Sequence, residues 1–409
     1  MKRDAFMVFY FLLLHCFSLH AQTIQSQILI GKIDSIYSNE LNELRRIIVY
    51  IPTMTNNEGP SSKRYPVLYL FDGEDHFLST VGMIQQLSQV NGNTVFPEMI
   101  VVGITNTNRD RDLTPAPYPN DSSRISSTGG GEKFTAFIEN ELIPYINSQY
   151  PTQSYRILVG HSFGGLMVIN TLVNHSKLFN SYVAIDPSMW EVKKNLFKKY
   201  IYSIQNDTFY KKKLFVAMAN TFGPQMDTVT VREDTTQNTE QARYLLSFLD
   251  VLKRNTSNGL KWSWKYYPDD NHPSVPLIAQ YDALHFIFKD LILPSTSFLF
   301  DNTLIADSIV IKHYSAISQE YGYEILPSEN VINNLGYLFL DKKIYDKSYA
   351  FFAMNIKNYP NSPNVFDSMG DYYIAVGDKE KAIDSYSKAY SINKWPETKN
   401  KLEKLRKEK

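Results

Sequence analysis

Short apolar runs bounded by turn residues alternate with longer amphipathic segments between positions 28 and 294. A short apolar run is typical of a strand buried on both faces, while a period of about 3.6 residues is typical of a helix packed on a sheet. The apolar runs predict strands at 47–51, 67–71, 99–103, 157–159, 182–185, 214–218 and 262–267. The amphipathic segments predict helices at 77–90, 132–147, 165–174, 239–253 and 275–289. This alternation predicts an α/β fold, a mostly parallel sheet flanked by helices.

Beyond position 295 the pattern is wholly helical. Residues 305–320 predict one amphipathic helix. Two later segments align at an offset of 34 residues, which pairs Gly336 with Gly370, Ser348 with Ala382, and Phe352 with Tyr386. Such a period resembles the tetratricopeptide repeat, with an unrelated helical hairpin as the alternative. The predicted organisation is a signal peptide at 1–21, an α/β domain at 22–295, a linker helix at 296–330 and tetratricopeptide-like repeats at 331–409.

The N-terminal segment has the pattern of an export signal. Lys2 and Arg3 precede an apolar stretch at 6–17 that is too short to span a bilayer, and Ala21 offers a cleavage site. We therefore expect an exported, periplasmic or extracellular protein without a stable membrane span. The one cysteine, Cys16, would be the lipidated residue of a lipoprotein, but the bulky residue before it disfavours that alternative.

Charge excludes one class of partner. Lys and Arg number 42, as do Asp and Glu, so the formal net charge is +0 and no basic surface for nucleic acid is expected. Gly129–Gly131 lacks the Lys and Ser or Thr of a phosphate loop. The sequence predicts neither a cofactor nor a metal site.

The segment 160–164 fits the pattern G-x-S-x-G between a predicted strand and a predicted helix. A sharp turn there exposes a serine hydroxyl at the edge of the sheet, so Ser162 is the candidate nucleophile. Such a serine needs a histidine base. His272 fits best, because it lies in a polar loop after a late strand. The other histidines after Ser162 (His175, His285 and His313) lie at a helix end or within predicted helices.

The acid that orients His272 is expected after the strand 214–218. Asp227 is the first choice because it is nearest to that strand, with Asp234, more weakly Glu233, or a dyad without an acid as alternatives. Asp269 and Asp270 are expected to be solvated. Backbone N–H groups of Phe163 and Gly73 are the candidates for the oxyanion hole.

These segments together resemble the putative esterase family of α/β hydrolases, which includes enterochelin-type siderophore esterases, feruloyl esterases and the esterase D group. The resemblance covers about 24–293 and lies in the stretches 65–73, 160–165, 187–190 and 271–276. It implies the α/β-hydrolase fold and catalytic roles for Ser162 and His272. Pro273 departs from the family, which often has glycine there.

The resemblance also implies that the loop with Arg109 and Arg111 borders the substrate cleft. Either arginine could then hold an anionic or phenolic group of the substrate. Trp190 is a further candidate for the cleft, or else a core residue. The predicted substrate is a small-molecule or polysaccharide-linked ester, such as a siderophore lactone or an acyl ester of a plant polysaccharide. Two alternatives stay open: acyl transfer or peptide cleavage at the same serine, and an idle site in a scaffold that binds a protein partner through its repeats.

Overall fold

The apolar runs form one sheet of eight strands in the computed structural model, which describes residues 29–52, 63–117, 127–191, 194–223, 225–293 and 306–407. The predicted signal peptide, with Cys16, lies outside the described residues. The strands are β1 (Lys32–Ser38), β2 (Glu43–Tyr50), β3 (Tyr65–Leu70), β4 (Ile100–Ile104), β5 (Thr152–His161), β6 (Ser181–Ile185), β7 (Lys213–Ala219) and β8 (Lys261–Tyr267).

The strand order in the sheet is β1-β2-β4-β3-β5-β6-β7-β8. β2 pairs antiparallel with β1 and with β4, and the pairs from β4 through β8 are parallel. In a parallel sheet the carboxyl ends of the strands lie at one edge, where loops can bring chemical groups together. This mostly parallel sheet confirms the predicted α/β-hydrolase fold.

Helices cover both faces of the sheet and continue beyond it. They are α1 (Gly73–Ser88), α2 (131–149), α3 (Phe163–Asn174), α4 (Lys194–Asn206), α5 (Glu240–Arg254), α6 (Val275–Phe288), α7 (Ala306–Tyr321), α8 (Glu329–Asp341), α9 (Tyr345–Asn358), α10 (Pro363–Ala375), α11 (Lys379–Ile392) and α12 (Pro396–Lys407). Within the described part of the chain, none is both long enough and apolar enough to cross a lipid bilayer.

Alternate residues of the central strands enter two separate cores. Val67 and Tyr69 face the core that α2 to α5 cover. Leu68 and Leu70 face the opposite core, covered by α1 and α6 and by the first helices after the sheet. Because both faces are buried, the central strands are apolar throughout, which is why their positions could be predicted.

Three elements depart from the prediction. The pattern missed β1, an edge strand whose apolar residues Ile33 and Tyr37 point to solvent, and it missed the amphipathic helix α4. It also predicted one regular helix where α2 contains a π-helical turn at Ile138–Leu142. Pro144 follows at the start of the next helical segment and has no N–H to donate to the preceding turn, which explains the irregularity.

The C-terminal helices repeat one packing contact. A Cβ on Gly336 would lie 2.5 Å from the ring of Phe352, and a Cβ on Gly370 would lie 2.4 Å from the ring of Tyr386. Both contacts join an earlier helix to the next one at the same 34-residue offset that the sequence predicts. The helical hairpins are therefore equivalent in packing, and their assignment as tetratricopeptide repeats stays a prediction.

Helix α7 joins these hairpins to the α/β domain through a buried lysine. Lys213, the first residue of β7, donates to the carbonyl oxygen of Ile287 at 2.7 Å and to the hydroxyl of Tyr321 at 3.1 Å. Its Nζ also lies 3.0 Å from Oε1 of Glu320. Burial lowers the pKa of Lys213, while Glu320 raises it. The end of α7 thus supplies Glu320 and Tyr321, and α6 supplies Ile287, as partners of a charge at the amino end of β7.

Candidate active site

The turn that carries Ser162 is bent as the G-x-S-x-G pattern predicts. β5 ends at His161 and α3 begins at Phe163, so Ser162 forms the turn between them, with φ 61° and ψ −115°. A positive φ is strained for serine and is typical of a nucleophile elbow. Gly160 is required because a Cβ there would lie 2.4 Å from the carbonyl group of Gly164. The fold therefore presents the Ser162 hydroxyl at the carboxyl edge of the sheet.

His272 lies in the predicted loop between β8 and α6, and its Nδ1 is 2.5 Å from Oδ2 of Asp186. An ionised carboxylate can only accept a hydrogen bond, so Nδ1 carries the proton and Nε2 is left as an acceptor. The ring centroid of His272 is 4.4 Å from that of His161, the residue before Ser162. The structure thus brings an oriented histidine beside the serine turn.

Asp186 directly follows β6, with a φ of 39° and an exposed fraction of 1%. Its Oδ1 accepts from the backbone N–H of Ala219 at 3.1 Å. Its Oδ2 accepts from Nε2 of Gln241 at 2.9 Å as well as from His272. Hydrogen bonds from these donors stabilise a buried carboxylate, so the protein itself fixes the position of the Asp186 side chain.

The structure contradicts the prediction that Asp227 orients His272. Asp227 is exposed, and its Oδ1 accepts from the backbone N–H groups of Val229 and Thr230, both at 2.8 Å. The alternative acid, Asp234, is likewise engaged in a local turn, where it accepts from the N–H of Thr236. Both carboxylates stabilise the loop after β7, whereas the contact with His272 comes from the loop after β6.

The two residues whose N–H groups are candidates for the oxyanion hole, Gly73 and Phe163, are the first residues of α1 and α3. These helices begin at the carboxyl ends of β3 and β5, which are neighbours in the sheet. N–H groups in a first helical turn have no acceptor within the helix and point toward its positive end. A Cβ on Gly73 would lie 2.5 Å from the carbonyl carbon of Gly103, so this position requires glycine for packing alone.

Arg109 links the turn before α1 to the first residue of α3. Its Nε and Nη2 bind both carboxylate oxygens of Asp72, at 2.7 and 2.9 Å, and its guanidinium lies 5.4 Å from the ring centroid of Phe163. The side-chain amide of Asn106 also donates to Asp72, at 2.7 Å. The positive charge of Arg109 lies at the site, but it is already paired with the carboxylate of Asp72, the residue before Gly73.

Arg111 points elsewhere. Its Nη1 and Nη2 bind the carboxylate of Glu43 on β2, at 2.9 and 2.6 Å, and its Nε binds Asp112 at 2.7 Å. These hydrogen bonds raise the pKa of the guanidinium, Glu43 most. The structure argues against the predicted substrate contact for Arg111, because two carboxylates of the protein already neutralise it.

Trp190 lies on the segment that follows Asp186. It belongs to the single 3₁₀ turn Met189–Glu191, and 42% of its surface is exposed, so it is not a core tryptophan. Ser188, two residues earlier, contacts Ser162: the two hydroxyl oxygens are 3.2 Å apart. Contact of Trp190 with substrate stays a prediction.

His161 is unusual in its electrostatics. Burial lowers the pKa of its imidazole from 6.5 to about 4, and the neighbouring His272 and His76 act in the same direction, against Asp186 and Asp72. Its Nε2 is among the buried side-chain atoms that have no hydrogen-bond partner in the described structure. His161 is therefore neutral in the folded protein at pH 7.

Replacing His161 with Gln is expected to reduce the loss of stability in acid. The folded pKa lies below the unfolded value, so the unfolded chain binds the proton first as the pH falls. The contribution of neutral His161 is complete above about pH 6.5 and is lost progressively down to about pH 4. Denaturant midpoints at pH 7 and 4.5 would measure this, with His313→Gln on α7 as the matched control. Equal acid sensitivity in wild type and His161→Gln would contradict the expectation.

Among the described residues, no group of three or more His, Cys, Asp or Glu side chains has the arrangement needed to hold a metal ion.

The chain is similar in sequence to curated esterases. The chain is 29% identical over 172 residues to the ferri-bacillibactin esterase of Bacillus subtilis, an alignment that covers 39% of this chain and 59% of the relative. It is 27% identical over 154 residues to the siderophore enterobactin esterase of Emericella nidulans, covering 34% and 51%. The chain thus spans less than two thirds of these curated relatives.

Two solved structures match over more of the chain. An IroE-like serine hydrolase from Shewanella oneidensis has 30% identity and a TM-score of 0.65, and the match covers 80% of this chain and 98% of that one. An uncharacterised protein from Capnocytophaga ochracea shares the fold, at 15% identity and a TM-score of 0.62, over 92% and 99%. The Putative esterase family matches residues 38–274, more than half of the sequence. The chain therefore belongs to the Putative esterase family.

Proposed function

We propose that this protein hydrolyses carboxylic esters through an acyl-enzyme on Ser162. The observation that carries the proposal is the 2.5 Å contact between Nδ1 of His272 and the buried carboxylate of Asp186, made directly beside the Ser162 turn. That contact sets the tautomer in which Nε2 can take a proton from the serine. Asp186 then stabilises the imidazolium that forms.

In the first half of the reaction, Oγ of Ser162 attacks the ester carbonyl while its proton passes to His272. The N–H groups of Phe163 and Gly73 stabilise the oxyanion. Collapse of the intermediate breaks the bond to the alcohol, which receives the proton from His272. In the second half, His272 takes a proton from water, the water oxygen attacks the acyl carbon, and Ser162 leaves with that proton.

A siderophore lactone is the proposed substrate class. The support is that the relatives named above are esterases of ferri-bacillibactin and enterobactin. An acyl ester of a plant polysaccharide is the second candidate from the sequence. The N-terminal segment predicts that the enzyme meets its substrate outside the cytoplasm, which we retain as part of the proposal.

The test uses the protein from residue 22 onward, without the predicted signal peptide. The probe is a fluorophosphonate, which reacts with activated serines whatever the natural substrate. We expect stoichiometric labelling, with the adduct mapped to Ser162 by peptide mass spectrometry, and hydrolysis of p-nitrophenyl acetate by the unlabelled protein. Heat-denatured protein is the control. A folded protein that neither labels nor hydrolyses the ester would contradict the proposal. The ratio of kcat/KM for a siderophore lactone to that for p-nitrophenyl acetate then tests the substrate class.

A further inference from the structure

A second hydroxyl group contacts the nucleophile. Oγ of Ser188 lies 3.2 Å from Oγ of Ser162, and only 4% of Ser188 is exposed. The backbone is fixed by two further bonds: the N–H of Ser188 donates to the carbonyl oxygen of Ser162 at 3.1 Å, and the N–H of Ser162 donates to Ile185 at 3.0 Å. The segment 185–188 therefore holds the strained serine turn at its backbone as well as at its side chain.

The direction of the hydroxyl contact follows from the state of His272. Because Asp186 takes the hydrogen of Nδ1, Nε2 of His272 accepts, and the single hydroxyl hydrogen of Ser162 must point to it for proton transfer. Ser162 then has only lone pairs to offer to Ser188. The geometry of the contact allows either hydroxyl to donate, and in the arrangement required for proton transfer to His272 the hydrogen comes from Ser188.

We propose that Ser188 is a positioning residue, whose hydroxyl donates to Oγ of Ser162 and fixes the side-chain torsion of the nucleophile for attack. The inference rests on the proposed function, because it assumes that Ser162 reacts. It adds that one short segment positions both the base and the nucleophile. Asp186 orients His272, and Ser188, two residues after Asp186, orients Ser162.

Removal of this hydroxyl should slow the chemical step and leave substrate binding unchanged. The Ser188→Ala variant keeps the backbone bonds to Ser162 but lets Oγ rotate. A hydrogen bond of this kind contributes a factor of about three to ten. We therefore expect the second-order rate constant for fluorophosphonate labelling to fall about five- to tenfold, with a matching fall in kcat and an unchanged KM for p-nitrophenyl acetate.

The experiment compares wild type, Ser188→Ala, Ser188→Thr and Ser148→Ala. Thr restores a hydroxyl and is expected to recover most of the labelling rate. Ser148 is the matched control, because its exposed hydroxyl bonds to Tyr145 near the amino end of β5, at the opposite edge of the sheet. A change in KM alone, or a folded Thr variant no faster than Ala, would show that volume matters and not the hydroxyl.

Labelling of Ser188→Ala at the wild-type rate would overturn the inference while leaving the proposed function intact. Failure of the wild type to label would instead remove the proposed function and the inference with it. Should Ser188→Ala fail to fold, Ser188→Cys serves in its place, since a thiol keeps the volume but is a much weaker donor. The same loss of rate is expected, and a wild-type rate in Ser188→Cys would overturn the inference.

Discussion

The Ser162→Ala variant is expected to lose ester hydrolysis by a factor of about 10⁴ to 10⁶ in kcat. Alanine removes the hydroxyl oxygen that forms the acyl-enzyme in the proposed mechanism, so water must attack the ester directly. The residual rate would come from substrate binding and from the oxyanion N–H groups, which this change leaves in place. Steady-state hydrolysis of p-nitrophenyl acetate measures the loss, and the fluorophosphonate adduct should vanish as well.

Two further variants make this result specific. His272→Ala is expected to cost about as much, because serine and histidine act as one unit and their effects do not add. The double variant should therefore be no slower than either single variant. Ser148→Ala should retain wild-type activity. Substantial turnover by a folded Ser162→Ala protein would refute a covalent mechanism on this serine.

The Asp186→Asn variant is expected to lower kcat by about 10³- to 10⁴-fold. An amide in place of the carboxylate can donate to Nδ1 of His272, which stabilises the tautomer that carries its proton on Nε2. Nε2 of His272 then already carries a hydrogen and cannot accept the proton of Ser162. Folding should survive, because the amide can still accept from the backbone N–H of Ala219, as the carboxylate does.

Asp227→Asn is the matched control for this acid. It changes the same functional group on an exposed loop, where the carboxylate bonds only to its own turn among the contacts described. We expect its kcat to stay within about twofold of wild type, since exposed substitutions away from the site have small effects. Full activity in Asp186→Asn would indicate a serine–histidine dyad, and a large loss in Asp227→Asn would restore the acid predicted from the sequence.

The sequence was sufficient for the elements whose pattern depends on burial. The central strands are apolar because both faces of the sheet are covered, and the serine turn is constrained by close backbone approach at Gly160. The positions of Ser162 and His272 relative to the sheet could be predicted because each lies at the carboxyl end of a strand in the order that this fold uses. An edge strand such as β1, with apolar side chains that face solvent, has no such signature.

The carboxylate that contacts His272 could not be identified from the sequence because several strands deliver carboxylates to the same edge of the sheet. The usual position after β7 is taken by Asn220, whose N–H and side-chain amide bind the carbonyl oxygens of Asp270 and Pro268 at 2.8 and 3.0 Å. Asn220 thus binds the backbone of the loop that carries His272 and makes no contact with the imidazole ring among the hydrogen bonds described. A signal was present: Asp186 directly follows the buried strand β6. Choosing between it and Asp227 required the distance across the sheet.

Arg111 illustrates a different limit of sequence analysis. Its main partner, Glu43, is 68 residues away in the chain, and nothing in the local pattern of either residue indicates the pair. Arg109 is similarly bound to Asp72, 37 residues earlier. Long-range ion pairs depend on which loops the fold places side by side. A loop arginine therefore cannot be assigned to substrate before its protein partners are known.

The buried Lys213 has a consequence for the order in which the protein is made. Its hydroxyl partner, Tyr321, is 108 residues later in the chain, so a ribosome completes β7 long before the residues that neutralise and cover the lysine exist. Until α7 emerges, the charge at the base of the sheet must stay hydrated, and the apolar face beneath α7 must stay open. Docking of α7 therefore comes late in synthesis, and a chain that stops before position 306 lacks the helix that covers Lys213.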